Sequence, residues 1–362
     1  MNLTLHLTEN CNMDCAYCVH EKKEVRMSEA VVDAAVDLAF STGKTAGLCF
    51  FGGEPLLESG LIYRAIRRCM LKTIETGKPA LYKMTTNGTL LTERFLENAH
   101  AVRMGIGLSF EGLAQDACRR FKDGSGSFST VDEKAKMLLK SMPDSYAMMT
   151  IAPQALPQYA ESVKYIRSLG FKRITSTIAY GKRVHWTDDD LELLKAQMEE
   201  IGAFYEAEFL RGEPFFFSPF DSKIRDFIRG FNPSERCHLG FRQMPVAPDG
   251  SLYACTQFIG DDDYKLGDVF RGIDRERQQK LALRAATPES CKECALRTRC
   301  TNSCGCTNRL ETGNENIVSP LQCNYERMTI AMADEIADRL FAADEDAFRK
   351  RFAADVPEKT AQ

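Results

Sequence analysis

Leu3, Leu5 and Leu7 alternate with polar Thr4 and His6, the period of two expected of a strand with one apolar face. Ser28 then precedes Val31, Val32, Ala35 and Leu38 at helical spacing. A serine is a good amino-terminal cap, and Gly43 offers a left-handed carboxyl-terminal one, so the spacing predicts a helix between them. The succession repeats. The stretches 47–51, 81–86, 104–109, 146–151 and 173–178 read as strands, each followed by a helical segment. Six strands alternating with helices predict an α/β fold with a parallel sheet, right-handed crossovers and functional loops at the carboxyl ends of the strands. Six units fit a partial (β/α)6 barrel of the TIM type better than a full barrel.

Thr187, with Asp190 three places on, is expected to cap a helix carrying Leu191, Leu194, Met198 and Ile201. After about residue 210 the periodicity gives way to turn residues and cysteines, as expected where metal organises the chain. The predicted organisation is a barrel over 1–210, a cysteine-rich domain over 211–330, and a carboxyl-terminal helix and tail over 331–362. A closing helix is expected at about 325–342, and the charged "DAFRKRFAADVPEKTAQ" after it reads as a loose tail.

Composition narrows the function classes. The 362 residues suit about two domains. Hydrophobic residues at 44% and charged residues at 27% fit a soluble globular enzyme. The 47 basic and 51 acidic residues are interspersed, for a net charge of −4. No basic stripe is available to a phosphate backbone, so nucleic acid is not an expected partner. No export signal and no long apolar run occurs, so a membrane is not expected either and the cytoplasm is the expected location.

Fourteen cysteines in such a chain call for metal rather than disulfides in a reducing compartment. Cys11, Cys15 and Cys18 form a front set; Cys237, Cys255, Cys291, Cys294, Cys300, Cys304, Cys306 and Cys323 form a rear set. Cys49, Cys69 and Cys118 fall in predicted strands or helices, where cysteine behaves as a small hydrophobe, and no chemistry is assigned to them.

Cys-x3-Cys-x2-Cys on one short loop can hold three corners of a four-iron cube and leaves the fourth iron open, as a catalytic zinc keeps an open position. Zinc in the front set is the alternative. "CNMDCAYC" after a first strand resembles the signature of the radical SAM superfamily. That resemblance implies an open iron chelating S-adenosylmethionine, and an electron from the cluster that splits the sulfonium to a 5'-deoxyadenosyl radical.

Companion stretches agree with it. "FFGGEPLL" resembles the family's glycine-rich segment: Gly52 and Gly53 let backbone approach a ligand, and Glu54 is expected to accept from its ammonium. "TTNGTLL", with Asn87, and "LSFEGLAQDACRRFKDGSGSF" resemble two further blocks. By that resemblance Asn87 joins the S-adenosylmethionine site, and Ser109 and Arg120 are expected at the ribose and carboxylate, a guanidinium fork suiting a carboxylate. The spacing is one residue short, so Arg119 competes, and Glu111 stands where the family usually has Asp. The resemblance also places Tyr17 beside the adenine.

The rear pattern, Cys237-x12-Gly250-x4-Cys255, then Cys291-x2-Cys294-x5-Cys300-x3-Cys304 and Cys323, resembles the SPASM domain, which binds auxiliary clusters. It implies one cluster on Cys291, Cys294, Cys300 and Cys323, and another on Cys237, Cys255 and Cys304. The second set is one ligand short, since residues 238–254 contain no cysteine. Either Cys306 supplies it or an iron stays open to a substrate thiolate. Structural zinc, with four ligands per site, would also fit eight cysteines.

The expected cofactors are therefore three 4Fe–4S clusters, one binding S-adenosylmethionine and two auxiliary. The function implied is a peptide maturase that abstracts hydrogen from a ribosomally made precursor and forms a thioether or other cross-link. An anaerobic sulfatase-maturating type of enzyme, oxidising Cys or Ser to formylglycine, is the alternative, and a non-catalytic electron carrier is another. Expected partners are the precursor peptide and a reductant such as flavodoxin or ferredoxin. The chain starts almost directly at its first strand, so the barrel or a separate leader-recognition protein is expected to grip a leader. No catalytic acid, base or hydrogen donor is legible.

Overall fold

The computed structural model describes residues 1–230, 239–241, 243–284, 287–302 and 304–352. The described residues fall into two compact units: one from 1–110, 115–148, 239–241 and 243–284, the other from 111–114, 149–230, 287–302 and 304–352.

The first unit is built on parallel strands at the predicted places. β1 (Asn2–His6), β3 (Ala46–Phe51), β4 (Ala80–Thr86), β5 (Gly105–Ser109) and β7 (Tyr146–Ile151), of which 146–148 belong to this unit, lie side by side in that order. Their register pairs Leu5 with Phe50, Phe50 with Met84, and Thr86 with Leu108. Leu3, Leu5, Leu48, Phe50, Met84, Ile106, Leu108 and Ala147 are buried on one face. The alternate positions Cys49, Phe51, Thr85, Ser109 and Met148 are only half-buried, so the opposite face retains a partly open surface. Beyond β1 the sheet continues with β10 (Met244–Val246), parallel to it, and then antiparallel β11 (Ser251–Tyr253), β12 (Lys265–Asp268) and β13 (Gly272–Ile273). These last strands come from the cysteine-rich stretch after residue 210.

Helices cross between the strands. α1 (Glu29–Ser41) begins at Ser28, whose hydroxyl accepts from Val31 N at 3.3 Å, and buries Val31, Val32, Ala35, Val36, Ala39 and Phe40. α2 (Ser59–Thr76) and α3 (Glu93–Ala101) follow β3 and β4. The short α4 (Gln115–Cys118) leads into β6 (Arg119–Phe121), and α5 (Phe128–Ser141) leads to β7. β6 pairs antiparallel with β2 (Met13–Cys15), a strand too short to show in the periodicity.

In the second unit α6 (Tyr159–Ser168) precedes β8 (Arg173–Ile178), which pairs parallel with β9 (Phe216–Phe217). α7 (Asp188–Leu210) starts with the predicted capping box, Thr187 and Asp190 each accepting from the other's backbone N–H. α8 (Ser218–Arg229) packs on α11 (Pro320–Ala343). Ser319 caps α11 and Pro320 occupies its first turn, which places the start five residues ahead of the expected helix. α9 (Arg275–Arg284) belongs to the first unit; α10 (Gly305–Thr312) and α12 (Glu345–Phe352) belong to the second. Among the described residues no helix is long and apolar enough to cross a membrane.

Candidate functional site

The cysteine loop leaves β1 and runs against the β3–α2 connection. Gly53 N donates to Thr8 O at 2.8 Å and Glu54 N to Asn10 O at 2.9 Å. The two glycines are required by this contact. Gly52 has φ +131°, and a β-carbon on it would lie 2.4 Å from Thr8 O; one on Gly53 would lie 2.0 Å from Asn10 O. The glycines thus bring backbone to the cysteine loop itself.

Glu54 is wholly buried. Its carboxylate accepts from Leu56 N at 3.0 Å, Thr86 Oγ1 at 2.7 Å and Asn87 N at 2.8 Å. Burial raises its pKa, an effect these three donors and the Arg119 charge oppose. In this structure it joins the carboxyl ends of β3 and β4.

Asn87, also buried, extends the bracket to the cysteines. Its amide nitrogen lies 2.8 Å from Asn12 Oδ1 and 3.8 Å from Cys11 Sγ, while its carbonyl accepts from Thr89 N at 3.0 Å. Asn12 in turn donates to Thr89 Oγ1 at 2.8 Å. Asn12 and Thr89 are absent from the residues expected from sequence, although both lie inside the quoted motifs.

Cys11 and Cys15 are buried and Cys18 is half-buried, packed with Met13, Tyr17 and Phe121. Cys18 N donates to Cys15 O, which folds the loop back on itself. Burial pushes the Cys11 thiol upward, partly offset by Met13 N and by Arg119. Among the described residues no group of three His, Cys, Asp or Glu converges on a single metal position; the thiolates of a cubane bind different irons, so they surround a cube instead of one point. Three clustered thiols, a backbone cradle admitting no β-carbon and one buried guanidinium form a donor set that fits a site-differentiated four-iron cluster.

That guanidinium is Arg119, the competitor of Arg120 for the carboxylate role, and the two side chains lie in different surroundings. Neighbouring residues of a strand face opposite ways. In β6, Arg119 stands opposite Cys15, is buried, and donates to Tyr17 Oη at 2.8 Å. Arg120 is exposed and donates to Gly124 O at 3.1 Å. Tyr17 itself is half-buried against the thiols. Ser109 is half-buried at the end of β5, opposite Met148. Glu111 is wholly buried and accepts from Thr150 N at 2.8 Å.

His6, at the end of β1, is buried, its ring tilted against Phe51 at 5.0 Å and edge-on to His20 at 5.7 Å. Burial, with His20 nearby, depresses its pKa to about 3.

The rear cysteines sort by unit. Cys291, Cys294, Cys300 and Cys323 line one pocket of the second unit together with Glu326 and Arg327. Burial, followed by the Glu326 charge, raises the Cys300 thiol to about 12; a bound metal would override this, because it binds the thiolate. Four thiols on one pocket fit a fully ligated cluster. Cys304 and Cys306 stand at the start of α10 with their sulfurs 3.3 Å apart. Hydrogen bonding from Cys306 draws the Cys304 thiol down. Cys255 is in the first unit, just beyond β11, and Cys237 lies outside the described residues.

The profile of the Radical SAM superfamily matches residues 5–196. The chain belongs to that superfamily and is an enzyme. It is 30% identical over 186 residues to an uncharacterized protein of Methanocaldococcus jannaschii, a match covering 50% of this chain and 64% of that protein's length. It is 22% identical to a cysteine-type anaerobic sulfatase-maturating enzyme of Clostridium novyi, over 72% of this chain and 74% of that one. Native anSMEcpe, solved with bound AdoMet and a peptide, superposes with a TM-score of 0.78 at 20% identity over 96% of this chain and 99% of its own. Streptococcus suis SuiB bound to its precursor peptide SuiA gives 0.63 at 15% identity over 89% of this chain and 75% of SuiB. At these identities the likeness establishes the radical SAM fold.

Proposed function

We propose that this chain is a radical SAM peptide maturase. When bound, a four-iron cluster on Cys11, Cys15 and Cys18, together with S-adenosylmethionine, would supply one-electron cleavage to a 5'-deoxyadenosyl radical that abstracts hydrogen from a peptide residue. The observation that carries this reading is the seating of the cysteine loop on Gly52 and Gly53, beside the buried Arg119. Tyr17 and Ser109 are the ligand contacts on this reading; Arg119 takes the carboxylate role, as the cation beside the thiols. Asn87 and Glu54 position the loop that holds them. The partly open face of the sheet, with Phe51, Thr85 and Met148, would take the target residue, where positioning and exclusion of water favour a single reaction.

The rear set supports auxiliary clusters: one on Cys291, Cys294, Cys300 and Cys323, and a second drawing on Cys237, Cys255 and Cys304, with Cys306 or an open iron completing it. Residues 1–210 would then act as the catalytic barrel and 211–330 as the auxiliary-cluster domain. An incompletely ligated second cluster would suit a thioether or another cross-link, because an open iron can take a substrate thiolate. The relatives named as sulfatase-maturating enzymes favour the second reading, oxidation of Cys or Ser to formylglycine. The peptide-bound structures of anSMEcpe and SuiB support a peptide substrate for both readings, and a flavodoxin or ferredoxin would deliver the electron.

Anaerobically reconstituted, reduced protein should convert S-adenosylmethionine to 5'-deoxyadenosine; absence of that product would refute the proposal. Mass spectrometry of a co-expressed peptide separates the two readings, since a cross-link and an aldehyde differ in mass.

A further inference from the structure

The loop that carries Cys300 is held from both sides by one buried ion pair. Lys223 on α8 and Glu326 on α11 are 2.7 Å apart, with side chains 8% and 5% exposed. Lys223 Nζ also donates to Arg299 O at 2.9 Å, immediately before the cysteine. Glu326 accepts from Thr301 N and Thr301 Oγ1, each at 2.9 Å, immediately after it. Gln322, next to Cys323, donates to Thr301 O at 2.9 Å. Arg299 completes the frame by donating to Lys223 O at 3.1 Å and to Asp334.

Two charges buried together are costly to keep unless their remaining hydrogen bonds are filled. Here those bonds go to the two residues flanking a single thiol, and the Glu326 carboxylate lines the same pocket as Cys291, Cys294, Cys300 and Cys323. We propose that Lys223 and Glu326 are positioning residues for this pocket: the ion pair fixes Cys300 against Cys323 so that four thiolates are presented to one cluster. The inference rests on the proposed auxiliary cluster at this pocket. The pair ligates nothing; it sets the place of a ligand, as the outer shell of a metal site does.

The test uses the full-length protein with its clusters reconstituted, scoring iron release to a chelator alongside the paramagnetic resonance of each reduced cluster. Lys223→Met and Glu326→Gln should weaken iron binding at this pocket by about 10–100-fold, the usual effect of removing an outer-shell partner, read as faster release to the chelator than in wild type, with the front cluster's signal and release rate unchanged. The double variant should be no worse than either single one, because the pair acts as a unit. Lys223→Arg, which keeps the cation, should restore slow release. Wild-type release from both single variants would overturn the proposal; so would equal acceleration at the front cluster, which would show general loosening of the fold. Cys300→Ala tests the underlying reading separately: if its iron content matches wild type, no cluster occupies this pocket and the reading fails at the cysteine, whatever the ion pair does.

Discussion

Gly53 lies so close to Asn10 that a β-carbon on the glycine would sit 2.0 Å from the asparagine's carbonyl oxygen. The obstructing atom is backbone, so relief requires the cysteine loop to move. Gly53→Ala should cost about 1–3 kcal/mol, the usual range for overpacking, and should lower iron bound at the front set. Thermal melts of apoprotein with iron analysis of reconstituted protein check this; an alanine variant matching wild type on both counts would remove the cradle from the account.

Changing Cys11, Cys15 and Cys18 together to Ala should remove about four irons from a total of about twelve if all three clusters form. Production of 5'-deoxyadenosine should stop, while iron on the rear cysteines stays. Retention of the full iron content would contradict the assignment.

Arg119 and Arg120 are adjacent in sequence and opposite in environment, so their variants should diverge. Arg119→Ala removes the hydrogen bond to Tyr17 and the buried cation near Cys11, and a large fall in S-adenosylmethionine affinity is expected. Arg120→Ala removes an exposed contact with Gly124 O and should leave affinity within about twofold and stability within about 0.5 kcal/mol. Equilibrium binding to the reconstituted protein decides; similar effects from the two would sink the reassignment to Arg119.

The neutral His6 should make the fold acid-sensitive. Its folded pKa near 3 lies below the ordinary 6.5, so the unfolded chain binds one more proton between those values. Stability from this group is fully present above about pH 6.5 and is lost as pH falls toward 3, at up to about 1.4 kcal/mol per pH unit. His6→Phe keeps an aromatic ring against Phe51 and removes the titration. Apoprotein melts from pH 7 to pH 4.5 should show a shallower decline in that variant than in wild type; parallel curves would refute the assignment.

Asn87→Ala should leave Asn12 and Thr89 without their shared partner in a buried setting, at a cost of about 1–3 kcal/mol. The cysteine loop should then be protected less from hydrogen exchange, while β4 beneath it keeps its protection. Unchanged exchange in the loop would show that Asn87 does not anchor it.

Periodicity and spacing are properties of neighbours along the chain, and for that reason the sequence alone determined the alternation of strands and helices, the Ser28 cap, the Thr187–Asp190 box and the grouping of the thiols on one loop. A resemblance to the radical SAM signature followed from the same local pattern. Tertiary structure decided what depends on which remote group lies opposite. Strand alternation, visible only once β6 paired with β2, put Arg119 and not Arg120 at the thiols. The three donors around Glu54 come from two different strand ends, Asn12 meets Asn87 across 75 residues, and Lys223 reaches Glu326 across 103. No local period encodes such pairings: burial makes an unsatisfied charge or amide costly, and only the folded chain determines which distant group offsets that cost.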